Sequence, residues 1–99
     1  MLEVIYLNIS VKELMSLNNP NIIDIRPVQS YNNNHIPGAK NIPYNNLLIN
    51  PSLYLNKNEK YYIYCKYGHT SKNLCNILYN QGYDVCNVIG GYEAWVLEN

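Results

Sequence analysis

"KYYIYCKYGHTSKNLCNILYNQG", residues 60–82, joins a short apolar run to a polar loop and then to a segment with a different periodicity. The run "KYYIYC" (60–65) is rich in β-branched and aromatic residues, as buried strands are. In "TSKNLCNILYNQG" the apolar residues Leu74, Ile77 and Leu78 fall on one stripe, the pattern of a helix. Thr70 or Ser71 is placed to cap it, and Gly82 stands at the C′ position. A strand that passes through a glycine-containing loop into a helix is the repeating unit of an α/β domain. Cys65 sits at the joint.

Further strand-like runs lie on either side, at "VIYLNI" (4–9), "NIIDI" (21–25) and "DVCNVI" (84–89), with a weaker one at "AKNIP" (39–43). Between them stand helical signals. In "SVKELMSL" (10–17), Ser10 is a good N-cap, Glu13 occupies the capping-box position, and Leu14 and Leu17 supply an apolar face. Shorter helical pieces are expected at "PVQSYN" (27–32), "YNNLLI" (44–49) and "YEAWVLE" (92–98). Alternating strands and helices predict a mainly parallel sheet with helices on both faces, because parallel neighbours need crossover connections. Ligands in such folds sit beyond the carboxyl ends of the strands, beside helix amino termini. Cys65 has that position.

The 99 residues fit one domain, 1–99, with no linker. Seven basic and seven acidic residues balance, so no net field points to nucleic acid or to an anionic membrane. "MLEVIYLNIS" has an early glutamate and no basic n-region, and no stretch reaches transmembrane length, so a cytoplasmic location is expected. Without that signal, the glycosylation pattern "NIS" (8–10) has no consequence. Three cysteines, Cys65, Cys75 and Cys86, form an odd set without C-x-x-C spacing. They are expected to be reduced thiols rather than a disulfide framework or a zinc site, and no metal or cofactor is implied.

Two readings of Cys65 follow from the residues. It is a nucleophile in an anion-binding cradle, or a buried thiol ending a strand before a glycine turn. The first is chemically sound, because the thiolate is the reactive form and an ordinary cysteine near pKa 8.5 is roughly a tenth ionised at pH 7.5. A helix amino terminus contributes about 0.3 to 2 kcal/mol toward an anion, and inward-pointing amides add charge-assisted hydrogen bonds. Gly68 permits the positive φ that such a loop needs.

Three stretches resemble the rhodanese-like domain family. "IIDIRPVQSYNNNHIPGAKNIP" (22–43) resembles the first signature of the family, D-x-R followed by an acidic-aromatic pair and G-H-I-P-G-A-x-N-I-P. "YCKYGHTS" (64–71) resembles the active-site loop C-x-x-G-x-R-S, and "VIGGYEAW" (88–95) the closing V-x-G-G-x-x-x-W. They arrive in family order. The resemblance implies a five-stranded parallel sheet flanked by helices, and sulfane-sulfur transfer through a cysteine persulfide. Carried over, Cys65 is the catalytic residue and Lys66, Tyr67, Gly68, His69, Thr70 and Ser71 form the persulfide-binding loop. The partners so implied are a small sulfur donor (thiosulfate or a persulfide) and an acceptor that is a thiol, a protein or cyanide.

The sequence departs from the family at three positions. Thr70 stands where the loop usually has arginine, Ser30 where the first signature has glutamate, and Asn34 where it has glycine. Without the arginine, an anionic donor loses a fixed bidentate partner, which Lys66 and His69 replace only in part. Ser30 and Thr70 form a candidate matched loss of two partners. A protein-binding module with a weak or inactive pocket is therefore the alternative to an active sulfurtransferase. The related phosphatases and arsenate reductases carry C-x-x-x-x-x-R, whereas Ser71 occupies that arginine position here, so phosphoryl transfer ranks lower. Asp24 and Arg26 are assigned as a supporting bracket that fixes loops, and His35 as a brace of the backbone. His69 is a candidate substrate contact. Cys75 and Cys86 are expected to be buried and inert, with a resolving or redox-sensing thiol the lesser option. Trp95 and the tyrosines are read as packing, and "GG" at 90 and 91 as a tight turn beside the loop.

Overall fold

A computed structural model describes residues 7–98. Five strands, β1 (Leu7–Ile9), β2 (Asn21–Asp24), β3 (Lys40–Asn41), β4 (Lys60–Tyr64) and β5 (Asp84–Val88), form one sheet in the order β1-β5-β4-β2-β3. Every pairing is parallel. The first half of the strand expected at 4–9 lies outside the described residues. Among the described residues, five helices supply the connections, α1 (Val11–Met15), α2 (Val28–Asn33), α3 (Tyr44–Ile49), α4 (Pro51–Tyr54) and α5 (His69–Asn80), and a sixth, α6 (Gly91–Glu98), follows the last strand.

The sheet divides the core in two. Leu47 of α3, Leu74, Cys75 and Leu78 of α5, and Leu55 and Tyr83 pack on one face against Ile23, Ile63 and Val85. Val11 and Leu14 of α1, Ile36 and Ala39 pack on the other against Ile22, Tyr64 and Val88, with Tyr31 of α2 and Tyr92 and Trp95 of α6 at their margin. The capping box at α1 forms as expected, the Ser10 hydroxyl accepting from the Glu13 amide and the Glu13 carboxylate accepting from the Ser10 amide. The Ser10 amide and hydroxyl both donate to the Glu13 carboxylate and lower its pKa. Leu17 lies beyond the last turn of α1 and is exposed, so the apolar face expected from Leu14 and Leu17 is carried by Val11 and Leu14.

The start of α5 differs from the expected cap. The helix begins at His69 with Gly68 as N-cap in the left-handed region (φ 99°), and no side chain caps it. Thr70 and Ser71 lie inside its first turn. Gly68 turns the chain sharply enough to enter the helix earlier, and Ser71 is drawn into the interior with no exposed surface. The carboxyl end follows the sequence signal, with Gln81 as C-cap and Gly82 at φ 96°.

Cys75 is fully buried in this core. Burial, with lesser contributions from Cys86 and Cys65, pushes its thiol from 9.0 up to about 12. Burial likewise raises the Cys86 thiol. Between pH 9 and 12 the folded chain keeps the Cys75 proton that the unfolded chain loses. Stability from this thiol is therefore complete below its ordinary value and falls as pH rises above it, with a slope of about 1.4 kcal/mol per pH unit for Cys75 alone. Urea unfolding at pH 8 and pH 11 should show this loss, and Cys75→Ala should flatten the slope; an unchanged slope would remove Cys75 as its source.

Candidate active site

The parallel register sets the carboxyl ends of β2, β4 and β5 side by side, with Asp24 opposite Tyr64 and Ile63 opposite Asn87. Three loops leave that edge together. They carry the 24–26 joint, Cys65 with its loop, and the Gly90–Gly91 turn.

Cys65 Sγ accepts hydrogen bonds from the backbone amides of Gly68 (3.1 Å) and Ser71 (3.2 Å), and lies 3.3 Å from Ser71 Oγ. Ser71 is the third residue of α5, whose amide an N-cap oxygen normally satisfies. Here the cysteine sulfur takes that place, so the unfilled helix terminus is aimed at the thiol. The amides of Lys66, Tyr67, His69 and Thr70 have no acceptor among the described residues. Cys65 is buried, with 7 % of the residue's surface exposed.

Behind the loop, two glycines let backbone approach backbone. The Tyr92 amide donates to the Cys65 carbonyl and the Glu93 amide to the Lys66 carbonyl, both at 2.9 Å. A Cβ on Gly91 would overlap the Cys65 carbonyl oxygen, and one on Gly68 would come within 2.9 Å of the Gly90 nitrogen. The "GG" turn is thus the wall against which the loop is set.

Asp24 and Arg26 make a buried pair, Arg26 Nη2 lying 2.7 Å from Asp24 Oδ2. Burial works against the guanidinium charge, but the Asp24 bonds outweigh it and the Arg26 pKa is raised. Arg26 also donates to the Asn34 carbonyl (2.6 Å) and stacks over Tyr92, 4.0 Å from its ring centre. Asp24 Oδ2 accepts from Tyr64 Oη (2.6 Å), which in turn accepts from the Ile36 amide (3.1 Å). Burial and the Asp24 bond raise the Tyr64 phenol well above its ordinary value. The pair therefore links β2, the 34–36 loop, β4 and α6. His35 stacks on Tyr31 at 3.8 Å, with Nδ1 2.8 Å from the Tyr31 carbonyl.

Lys66 and His69 are both exposed at the loop rim but serve different cavities. Lys66 lines one of about 240 Å³ with Arg26, Ser30, Asn33, Tyr92 and Glu93. His69 lines another of about 440 Å³ with Tyr67, Lys72, Asn8 and Asn87. Ser30 belongs to the first cavity and Thr70 to neither. Three residues of this site escape a sequence reading. Asn87 accepts from Ser71, Asn8 pairs with Asn87, and Tyr64 bridges Asp24 to Ile36. The one signal in the sequence is an asparagine inside the apolar run "DVCNVI".

Fold and site together define an α/β domain that presents one cysteine in a main-chain cradle at the carboxyl edge of a parallel sheet. The family model for the rhodanese-like domain matches residues 8–98, and the chain belongs to that family. Its relatives include the adenylyltransferase and sulfurtransferase uba4 of Ogataea parapolymorpha, 33 % identical over 88 residues, covering 88 % of this chain and 23 % of that protein. Another is the putative sulfur carrier protein YrkF of Bacillus subtilis, 34 % identical over 76 residues, with 76 % of this chain and 40 % of that protein covered. The chain thus spans less than half of each of these two relatives. Among solved structures, a rhodanese-like domain protein from Staphylococcus aureus superposes with a TM-score of 0.81 at 33 % identity, over 90 % of both chains. A rhodanese-related protein from Thermoplasma volcanium shares the fold, with a TM-score of 0.86 at 24 % identity over 95 % and 94 % of the two chains. No described helix is long and apolar enough to cross a membrane.

Proposed function

We propose that the chain is a sulfurtransferase or sulfur carrier that holds sulfane sulfur as a persulfide on Cys65. The observation that carries this reading is the sulfur of Cys65 under two loop amides, with four further loop amides left without a partner among the described residues. Two donors match one sulfur atom, and the others are available for a second sulfur and the charge on it.

The thiolate of Cys65 attacks the outer sulfur of a donor such as thiosulfate. A new S–S bond forms, the donor's S–S bond breaks, and its electron pair leaves with sulfite. An acceptor thiolate or cyanide then attacks the outer sulfur of the persulfide, and Cys65 departs as thiolate. Both steps place negative charge at the cradle, which needs no rearrangement to meet it. Asp24, Arg26 and His35 support the loop's surroundings through the contacts described above and transfer no proton in this scheme.

The test is mass spectrometry after incubation with thiosulfate, with and without a reductant. The expected result is a gain of one sulfur, removed by reductant and absent in Cys65→Ala. No adduct from thiosulfate, from polysulfide or from a persulfide donor would leave the binding-module reading in its place.

A further inference from the structure

Ser71 Oγ has one proton and three neighbours. It lies 2.6 Å from Asn87 Oδ1, 3.3 Å from the Gly68 carbonyl and 3.3 Å from Cys65 Sγ. The first two are acceptors. The short bond to Asn87 takes the hydroxyl proton, so Ser71 Oγ is left to accept from the Cys65 thiol. That direction suits the thiol and opposes the anion, which needs Ser71 to donate.

The amide of Asn87 is in turn oriented from outside. Its Nδ2 donates to Asn8 Oδ1 at 3.1 Å, and the two residues are register partners on β1 and β5. Asn87 is 3 % exposed, whereas Asn8 stands on the outer strand and lines the larger cavity. A hydrogen-bonded chain therefore runs from the solvent to the nucleophile as Asn8, Asn87, Ser71, Cys65. Each member can carry its bond in either direction, because an amide presents oxygen or nitrogen by a half-turn and a hydroxyl rotates.

We propose that Asn87 is a positioning residue whose amide orientation, held by Asn8, decides whether the Ser71 hydroxyl accepts from the Cys65 thiol or donates to its anion. When the thiol proton leaves to solvent, Ser71 keeps its own proton and turns it to the sulfur. Asn87 then presents Nδ2 to Ser71 Oγ, and Asn8 presents Nδ2 to Asn87 Oδ1. Ser71 is not a base in this scheme, and no proton travels along the chain. Only the directions of its bonds reverse.

The inference rests on Cys65 acting as a nucleophile but not on any sulfur donor, so alkylation by iodoacetamide reads it directly. Asn8→Asp replaces an exposed amide by a carboxylate that can only accept. It holds Asn87 Nδ2 outward and Oδ1 on Ser71, so the pH profile of Cys65 alkylation should move to higher pH and the rate at pH 7.5 should fall about tenfold, the equivalent of one pH unit. Asn8→Ala releases the amide and should leave the profile within about threefold of wild type, well short of that one-unit shift. Adding Ser71→Ala to both the wild-type chain and the Asn8→Asp variant should abolish the difference between them, since the effect passes through that hydroxyl. The other titratable or charged groups on the surrounding elements include Lys66, Tyr67, His69 and Lys72 on the loop and α5, Cys75 deeper in α5, Lys60 and Tyr64 on β4, Asp84 and Cys86 on β5, Tyr92 and Glu93 on α6 and the Asp24–Arg26 pair, and all are common to these variants. A shift that persists in the Ser71→Ala background marks a direct charge effect and overturns the proposal, as does an unshifted Asn8→Asp profile. A wild-type chain that accepts no sulfur, together with a shifted Asn8→Asp profile, would sink the transferase reading and leave this one standing.

Discussion

Gly91→Ala should lower the stability of the chain by roughly 3 to 4 kcal/mol and cut sulfur uptake by Cys65 at least about tenfold under conditions where the variant remains folded. Two contributions add. Gly91 sits at φ 58°, where a side-chain-bearing residue costs about 1 to 2 kcal/mol. The new Cβ also overlaps the Cys65 carbonyl oxygen, so loop and turn must separate, weakening the bonds from the Tyr92 and Glu93 amides at about 1 kcal/mol each. Gly38 supplies the control, because it has φ 87° and nothing within 4 Å of an added Cβ. Gly38→Ala therefore carries the backbone cost without the overlap. Urea unfolding of both variants, with thiosulfate uptake measured by mass, separates the two contributions. If Gly91→Ala is no less stable than Gly38→Ala and loads sulfur normally, the loop does not depend on its glycine wall.

The frame was legible in the sequence because each element satisfies its own local rules. Ser10 and Glu13 are three residues apart and close a capping box whatever surrounds them. "YNNLLI" forms a helix over the predicted residues, and Gly82 ends α5. Local signals failed where tertiary contacts took over. Thr70 and Ser71 read as caps, yet the Ser71 amide found Cys65 and its hydroxyl found Asn87, sixteen positions away and on another strand. The four-residue helix at Pro51–Tyr54 leaves no signal in the sequence, because one turn has no periodicity to detect. Lys66 and His69 lie three residues apart and look like joint substitutes for a missing cation. Gly68 reverses the chain between them and sends them to separate cavities. Cys65 and its loop could be singled out as a candidate site from spacing and resemblance, whereas the amides behind them depend on strand register, which a local pattern does not fix.

Thr70→Arg should speed sulfur uptake from thiosulfate about tenfold to a hundredfold, the effect of one hydrogen bond to a charged group at roughly 1.5 to 3 kcal/mol. The site offers room for it. Thr70 is exposed in the first turn of α5, and its side chain makes no hydrogen bond among the described residues. The chain has no net charge to attract an anion from a distance, so a fixed guanidinium at the loop would act with little competition. The gain should be larger than for Thr70→Lys, which adds the same charge without the planar fork, and it should shrink with added salt. A neutral organic trisulfide offers no anion to grip, and its rate should not change. Ser30→Glu decides whether the two departures from the family pattern are a matched loss. Ser30 lines the Lys66 cavity and Thr70 does not, so an added carboxylate should meet Lys66 and Arg26 before it meets an arginine at 70. The double variant should then gain no more from Thr70→Arg than the single one does. A double variant that far exceeds the product of the two singles would instead show that glutamate and arginine act as a pair, and that their cavities merge once both are present.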